Sequence, residues 1–288
     1  MKLITFSDGD TIRIGAVVEA EVVMADNSLP PTMEAFLAAG THARDALQRL
    51  IDKGKQRRPL SEISLQAPLL QPQKFFGVSL NYEDHIQETG LERPEYPTVF
   101  NKQTSCIIGP GASIYRPGVS EKLDYEGELG VVVGKCCRQV PRARAADVIG
   151  GYLIVNDVSV RDWQMHSHTW TLGKSFDTHG PIGPWLVTPD EIGEPHNLDI
   201  KTWVNDQQRQ SSNTRHLIFD CYHLIEYLST CMTLMPGDII ATGTSSGVGV
   251  KMQPRGYMKA GDTVTVEIEN IGRLSNPVIE EPDNLAVY

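Results

Sequence analysis

The chain of 288 residues is 40% hydrophobic and 22% charged, a balance typical of a globular protein with a buried core. Its formal net charge of -10 argues against a general nucleic-acid or membrane binder, because both partners are themselves anionic. We therefore expect neither nucleic acid nor a membrane among its partners.

The cysteines and the opening residues suggest a cytoplasmic protein. The 5 cysteines show no C-x-x-C spacing, so neither a disulfide framework nor a structural zinc site is expected. Reduced thiols are typical of the cytoplasm. The opening MKLITFSDGD turns polar too early for a signal peptide, and no stretch approaches the roughly 18 apolar residues of a membrane span.

The first part of the chain predicts a small α+β unit. Residues 12–23 are strand-like, Pro30-Pro31 marks a turn, and residues 32–54 predict a helix that ends at Gly54. Residues 55–72 are charged and contain prolines, a composition typical of a linker. We place a boundary near residue 68, which gives a small N-terminal α+β domain, 1–68, and a larger domain, 69–288.

Short β-rich segments dominate the larger domain. Turn residues such as Pro110-Gly111 and Asn205-Asp206 separate them. Two stretches, 159–168 and 219–234, interrupt this pattern with helical periodicity. Because strands and helices do not alternate regularly, we predict a β-rich α+β fold and not a doubly wound one.

The stretch DYEGEL raises the question of a metal site. Alternate residues of a strand share a face, so Asp124, Glu126 and Glu128 point the same way. Three carboxylates on a dry face favour a hard divalent cation such as Mg²⁺ or Mn²⁺, whereas an exposed edge strand would leave them solvated. Asp157, at the end of an apolar segment, either joins this site or caps a helix.

Several other side chains can take part in catalysis or lie on an ordinary surface. His85 and Glu88, at i and i+3, predict a general base or an exposed turn. Arg161 and Gln164 share one helical face. Lys174, in a Gly- and Pro-rich connection, is either a surface charge or a cation that polarises a substrate oxygen.

A glycine-rich loop follows the last buried segment. The glycines and hydroxyls of ATGTSSGVG allow backbone N–H groups to approach an anion. The loop lacks the lysine of a Walker A motif and the order G-x-G-x-x-G, which excludes nucleotide binding.

The order of these motifs across about residues 70–275 resembles the fumarylacetoacetate hydrolase superfamily. The motifs are NYEDH, DYEGELGVVVG, NDVSVRDWQ, GKSFDTHGPIGPW, MPGDIIATGTSSGVG and GDTVTVEIENIG. The resemblance implies a mixed β-sandwich roll, a homodimer and an Mg²⁺ or Mn²⁺ site. It implies these roles: metal ligands Glu126, Glu128 and Asp157; catalytic His85, Glu88 and Lys174; substrate-binding Arg161, Gln164, Thr242, Gly243 and Thr244.

The resemblance also implies an activity, with alternatives. We expect metal-dependent hydrolysis of a C–C bond in an acylpyruvate, such as fumarylpyruvate or maleylpyruvate from aromatic catabolism, which releases pyruvate and a carboxylic acid. The alternatives are decarboxylation of a β-keto acid such as oxaloacetate, keto–enol isomerisation, and a non-catalytic metal-binding protein. Gly127, in place of the usual β-branched residue, and Ser245, in place of proline, depart from the family pattern and leave the substrate open.

Overall fold

The strands dominate the computed structural model, which describes residues 1–54, 57–283 and 285. They are β1 (Lys2–Asp8), β2 (Thr11–Val18), β3 (Glu21–Met24), β4 (Arg57–Pro59), β5 (Ser64–Leu65), β6 (Phe75–Ser79), β7 (Thr98–Lys102), β8 (Ile107–Ile108), β9 (Ile114–Arg116), β10 (Leu123–Asp124), β11 (Gly127–Val133), β12 (Ile149–Asn156), β13 (Ser159–Val160), β14 (Gly180–Val187), β15 (Asp199–Val204), β16 (Gln207–Asn213), β17 (Ile239–Thr244), β18 (Thr263–Ile268) and β19 (Gly272–Glu280).

Helices are fewer and mostly short. The α-helices are α1 (Met33–Lys53), α2 (Glu83–Thr89), α3 (Arg161–Gln164), α4 (Pro189–Ile192) and α5 (Cys221–Cys231). Short 3-10 segments lie at Leu60–Glu62, Thr104–Cys106, Arg142–Val148, Thr214–His216 and Gly249–Lys251. No helix of the described residues is long and apolar enough to cross a membrane.

Helix α1 has the bounds that its capping residues predict. The hydroxyl of Thr32 accepts a hydrogen bond from the Ala35 N–H at 3.3 Å, which satisfies one of the free donors of the first turn. Gly54 adopts the left-handed conformation at φ 62° and donates its N–H to Ile51 O. The helix bends at Gly40, whose φ of 64° is not helical.

The strands form two main sheets. The larger has the order β4-β3-β2-β1-β14-β12-β11-β17-β6-β7, with β5 beside β1 and β8 beside β14. The smaller has the order β16-β15-β18-β19-β9. Most pairs are antiparallel, but three are parallel: β17 with β6, β19 with β9, and β14 with β8. The predicted β-rich α+β class with mixed sheets is therefore confirmed.

The N-terminal strands continue the larger sheet. Lys2 of β1 pairs with Val187 of β14, and α1 shares a hydrophobic core with β11, β12 and β14. The stretch 55–72, predicted as a linker, contains β4 and β5, although residues 55 and 56 lie outside the described chain. Pairing with β3 and β1 explains why this charged stretch is extended. The boundary near residue 68 stays a prediction.

Strand β11 lies between two cores. Val131 and Val133 pack in the core that includes α5 and the five-stranded sheet, whereas Val132 packs in the core that includes α1. Successive side chains of a strand point to opposite faces, so a strand buried on both sides is continuously apolar. This double burial fixes β11 rigidly, and the strand begins at the glutamate pair.

Helix α3 is much shorter than the predicted helical stretch 159–168. It ends at Gln164, and the following chain folds back until Gly173 O accepts a hydrogen bond from Val160 N at 2.8 Å. A Cβ on Gly173 would lie 2.1 Å from Gln164 N, so this return requires glycine. The turn brings residue 174 towards the start of β11.

Candidate active site

The pairing of β11 with β12 brings three acidic side chains together. Gly127 pairs with Asn156 and Glu128 with Val155, so the next position along places Glu126 opposite Asp157. The Asp157 N–H donates to Glu126 O at 2.8 Å. Ligand oxygens of Glu126, Glu128 and Asp157 all lie within 4.8 Å of one another. The sequence interpretation of these residues as one cluster therefore has a geometric basis.

The structure excludes a solvated edge strand for the glutamates and a helix cap for Asp157. Glu126 is 6% exposed, Glu128 2% and Asp157 0%, so the glutamates do not lie on a solvated edge strand. Asp157 does not cap a helix either, because α3 follows Val160. Three carboxylates in a dry site require compensating charge.

Two buried lysines supply part of that charge. Lys174 Nζ lies 2.5 Å from Glu126 Oε2 and 2.6 Å from Asp157 Oδ2. Lys102 Nζ lies 2.7 Å from Asp157 Oδ1 and also donates to Lys174 O. Lys102 is not predicted by the sequence, because the only local sign of a role is its position at the end of the strand TVFNK.

Arg161 connects the cluster to a fourth buried carboxylate. Its Nε donates to Asp124 Oδ2 at 2.8 Å, and its Nη2 lies 2.7 Å from Glu126 Oε1. Asp124 also accepts the backbone N–H groups of Gly249 and Val250, at 2.8 and 2.9 Å. Asp124 is fully buried and holds the 249–251 turn against Arg161.

The two glutamates respond to this environment in opposite directions. Burial alone would raise the pKa of Glu126, but the charges of Lys174 and Arg161 outweigh it and hold that pKa well below its usual range. Burial raises the pKa of Glu128 well above its usual range, and the charges of Asp157 and Glu126 raise it further. Glu128 forms no ion pair with any described residue.

The charges of the network fit an additional cation. If all four of its buried carboxylates were ionised, they would exceed the three buried cations by one negative charge, and the raised pKa of Glu128 reflects its burial and that excess. A bound cation would offset it. Carboxylate oxygens are the ligands that Mg²⁺ and Mn²⁺ prefer. Glu126, Glu128 and Asp157 therefore form an acidic site that such an ion fits.

His85 and Glu88 form a pair on helix α2. His85 Nδ1 lies 2.9 Å from Glu88 Oε2, and Glu88 Oε1 accepts the Gly247 N–H at 2.9 Å. Burial would raise the pKa of Glu88, but the hydrogen bonds from His85 and Gly247 lower it overall. Because Nδ1 is engaged, Nε2 is the ring nitrogen left for proton exchange.

The segment Thr242-Gly243-Thr244 mainly donates hydrogen bonds to β11. The Gly243 N–H donates to Glu128 Oε2 at 2.8 Å, and the Thr242 hydroxyl donates to Leu129 O at 2.9 Å. Thr244 alone of this segment is among the described residues that line the central cavity. The structure thus places Thr242 and Gly243 behind Glu128, where β17 pairs with β11.

Most of these side chains line one cavity. Its volume is about 380 Å³. His85, Glu126, Glu128, Arg161, Gln164 and Lys174 all line it. Glu88 lies behind His85, outside the described lining. The remaining wall is mostly apolar and includes Val78, Leu80, Leu91, Phe100, Met165, Trp170, Val248 and Val250.

Comparison with known sequences gives a family match. The fumarylacetoacetate (FAA) hydrolase C-terminal family matches residues 74–279. A mitochondrial oxaloacetate tautomerase of Xenopus laevis is 41% identical in an alignment of 288 positions, which spans 97% of this chain and 90% of the relative.

Solved structures show the same architecture. The maleylpyruvate hydrolase of Sphingobium sp. SYK-6, in complex with manganese(II) and pyruvate, has a TM-score of 0.83 at 32% identity. The similarity covers 98% of this chain and 100% of that chain. The 2-hydroxyhepta-2,4-diene-1,7-dioate isomerase of Mycobacterium marinum has a TM-score of 0.79 at 32% identity, again over 98% of this chain and 100% of that chain.

Proposed function

Because the chain belongs to the fumarylacetoacetate hydrolase family, as the order of its motifs predicts, we propose that it hydrolyses a C–C bond in an acylpyruvate. The family's members include hydrolases, isomerases and tautomerases, so the family alone does not select the reaction. The observation that carries the proposal is the contact between His85 Nδ1 and Glu88 Oε2, at 2.9 Å, because His85 lines the same cavity as Glu126 and Glu128.

The carboxylate cluster would hold the metal. Glu126, Glu128 and Asp157 would bind Mg²⁺ or Mn²⁺, which when bound supplies a Lewis acid that polarises the carbonyl of a 2-oxo acid. With Glu128 ionised as a ligand, the four carboxylates and three cations of the buried network would carry one net negative charge, and the two positive charges of the ion would make the network net positive. A positive site favours an anionic substrate, which a 2-oxo acid is.

Arg161 and Gln164 are suited to the carboxylate of the substrate. Both line the cavity, and Arg161 Nη1 donates to Gln164 Oε1 at 3.1 Å. Arg161 Nη2 lies 2.7 Å from Glu126 Oε1, so this nitrogen already belongs to an ion pair. The guanidinium has further N–H groups, and its charge suits a carboxylate of the substrate.

The proposed reaction uses His85 as the base. His85 accepts a proton from water through Nε2, and the hydroxide adds to the acyl carbonyl carbon while Lys174 stabilises the developing oxyanion. The bond between that carbon and C3 of the pyruvyl unit breaks, and its electron pair stays on C3. His85 returns the proton to C3, which gives pyruvate and a carboxylic acid.

Product identification tests this reaction. With Mn²⁺, the wild type should convert acetylpyruvate or fumarylpyruvate into equal amounts of pyruvate and the carboxylic acid. NMR measures the two products over time. His85→Gln should lower kcat about 100- to 10,000-fold, whereas the exposed His168→Gln control should not. Full activity of His85→Gln, or no cleavage of either acid by the wild type, would contradict the proposal.

Oxaloacetate tautomerisation is the second candidate. The 41% identity to an oxaloacetate tautomerase over 97% of this chain favours it. The same base would move a proton between C3 and the enol oxygen without breaking a C–C bond. Faster keto–enol exchange of oxaloacetate, with no pyruvate formed and no acylpyruvate cleaved, would select this candidate over hydrolysis.

A further inference from the structure

Lys251 is a cation on the cavity wall that the proposed reaction does not use. Building on the proposed function, we infer that Lys251 binds a second carboxylate, at the far end of the acyl group. The substrate class is then an acylpyruvate whose acyl group is itself a carboxylic acid.

The charges around the cavity single out this lysine. Of the Lys and Arg residues that line it, Arg161 and Lys174 pair with buried carboxylates. Lys251 has neither an ion pair nor a side-chain hydrogen bond with any residue that the structure describes. Lys251 is exposed, and its charge helps to lower the pKa of Glu88, but it forms no direct ion pair with that carboxylate. Its ammonium is therefore available to an anionic group in the cavity.

The backbone of Lys251 is fixed relative to the carboxylate cluster. It ends the 3-10 segment Gly249–Lys251, whose Gly249 and Val250 N–H groups donate to Asp124. Asp124 in turn binds Arg161, which contacts Glu126. A short chain of contacts thus connects the backbone beside Lys251 to Glu126, so the fold fixes the position of this backbone relative to the carboxylate cluster.

The apolar part of the cavity wall suits a carbon chain. Val248 and Val250, which flank the 3-10 segment or lie within it, line the cavity, and so do Leu91 and Trp170. An apolar wall favours the hydrocarbon part of an acyl group over further charge. Arg93, which follows the lining residue Leu91 by two positions, is another cation that could bind a second carboxylate. It lies 3.6 Å from Glu83, however, and is not among the described lining residues.

Substrate discrimination tests the role of Lys251. We compare kcat/KM for fumarylpyruvate, which carries the distal carboxylate, with that for acetylpyruvate, which lacks it. Lys251→Met should lower kcat/KM for fumarylpyruvate about 10- to 100-fold, mainly through KM, and leave acetylpyruvate within about twofold. Lys251→Arg should restore most of the loss, and the exposed Lys259→Met control should change neither value.

The possible failures are distinguishable. If the wild type cleaves both acids and Lys251→Met leaves their ratio unchanged, the inference about Lys251 is overturned and the proposed hydrolysis stands. An equal loss for both acids also overturns it, because that result indicates general damage to the site. If the wild type cleaves neither acid, the proposed function fails and the inference falls with it.

Discussion

Glu126 and Glu128 are separated by one glycine, yet their surroundings differ. Glu126 binds Lys174 and Arg161, whereas the described contacts of the Glu128 carboxylate include only a backbone N–H, that of Gly243. A buried ion pair loses much when one partner is removed. A buried carboxyl whose raised pKa favours its neutral form loses little when an amide replaces it. The two residues should therefore behave differently when each is replaced by glutamine.

Glu128→Gln should separate metal affinity from stability. The raised pKa of Glu128 already favours its neutral form without a metal, and a Gln oxygen can still accept the Gly243 N–H, so we expect an equal or higher Tm in EDTA. Mn²⁺ affinity should fall at least about tenfold, because one anionic ligand is lost. Thermal unfolding and calorimetric titration measure the two effects.

The matched variant is Glu126→Gln. It leaves Lys174 and Arg161 without one of their carboxylate partners, which should cost about 3–5 kcal/mol of unfolding free energy. Equal stability losses for Glu126→Gln and Glu128→Gln would contradict the assigned difference between the glutamates.

At the scale of single residues, the sequence predicts which side chains form the site better than it predicts which residues they contact. Strand alternation and the family resemblance place Glu126, Glu128 and Asp157 in one cluster, as found. Lys102 and Asp124 are missed or left open, because their partners lie far away in sequence: Lys102 binds Asp157, and Asp124 binds the 249–251 turn. Periodicity carries no information about such distant pairs.

At the scale of elements, β11 shows how a departure from the family pattern is accommodated. The Gly127 N–H donates to Gln210 Oε1 at 3.0 Å, and Gln210 Nε2 donates to Thr244 Oγ1 at 2.8 Å. Gln210 also donates to Ser245 O at 3.0 Å. The two departures, Gly127 and Ser245, thus contact the same buried glutamine of β16.

Gly127→Val should destabilise the chain even though the family pattern, as the resemblance implies it, has a β-branched residue there. A Cβ at this position would lie 2.3 Å from Thr202 Oγ1 and 3.0 Å from Val266 Cγ1. We expect an overpacking cost of about 1–3 kcal/mol, measured by urea denaturation. Gly118→Ala is the control, because its added Cβ meets nothing within 4 Å. Unchanged stability of Gly127→Val would contradict this packing account.

Element boundaries could be predicted where local chemistry sets them. Thr32 and Gly54 mark both ends of α1. The early end of α3 could not be predicted, because it depends on the return of Gly173 against Gln164. The predicted linker contains short strands for the same reason, since β4 and β5 pair with partners from earlier in the chain.

At the scale of the whole molecule, burial makes stability depend on pH through His179. Burial lowers the pKa of His179 to about 3, from an ordinary value of 6.5. Between these values the unfolded chain binds a proton that the folded chain does not, so stability falls as the pH drops from 6.5 to 3. The expected slope is about 1.4 kcal/mol per pH unit in that window.

His179→Gln tests this dependence. The variant should lose that part of the slope of unfolding free energy against pH between 4 and 6, whatever its absolute stability. The exposed His166→Gln should retain the wild-type slope. Identical slopes for the wild type and His179→Gln would show that His179 is protonated in the folded protein.

The resemblance predicts the overall architecture, but only for part of the chain. It covers about residues 70–275, and the family match covers 74–279. It does not predict that β1 joins the same sheet beside β14, because the register of strands so far apart in sequence depends on tertiary packing. The fold of residues 69–288 is therefore better predicted than the way residues 1–68 pack on it.

The central claim is that Glu126, Glu128 and Asp157 hold a divalent cation that in turn binds a 2-oxo acid. Calorimetric titration of oxalate, a mimic of the pyruvate enolate, into the purified protein tests it most directly. With Mn²⁺ present, oxalate should bind at one site per chain, and after EDTA treatment the binding should disappear. Equal oxalate binding in Mn²⁺ and in EDTA, or no binding in either, would contradict the account.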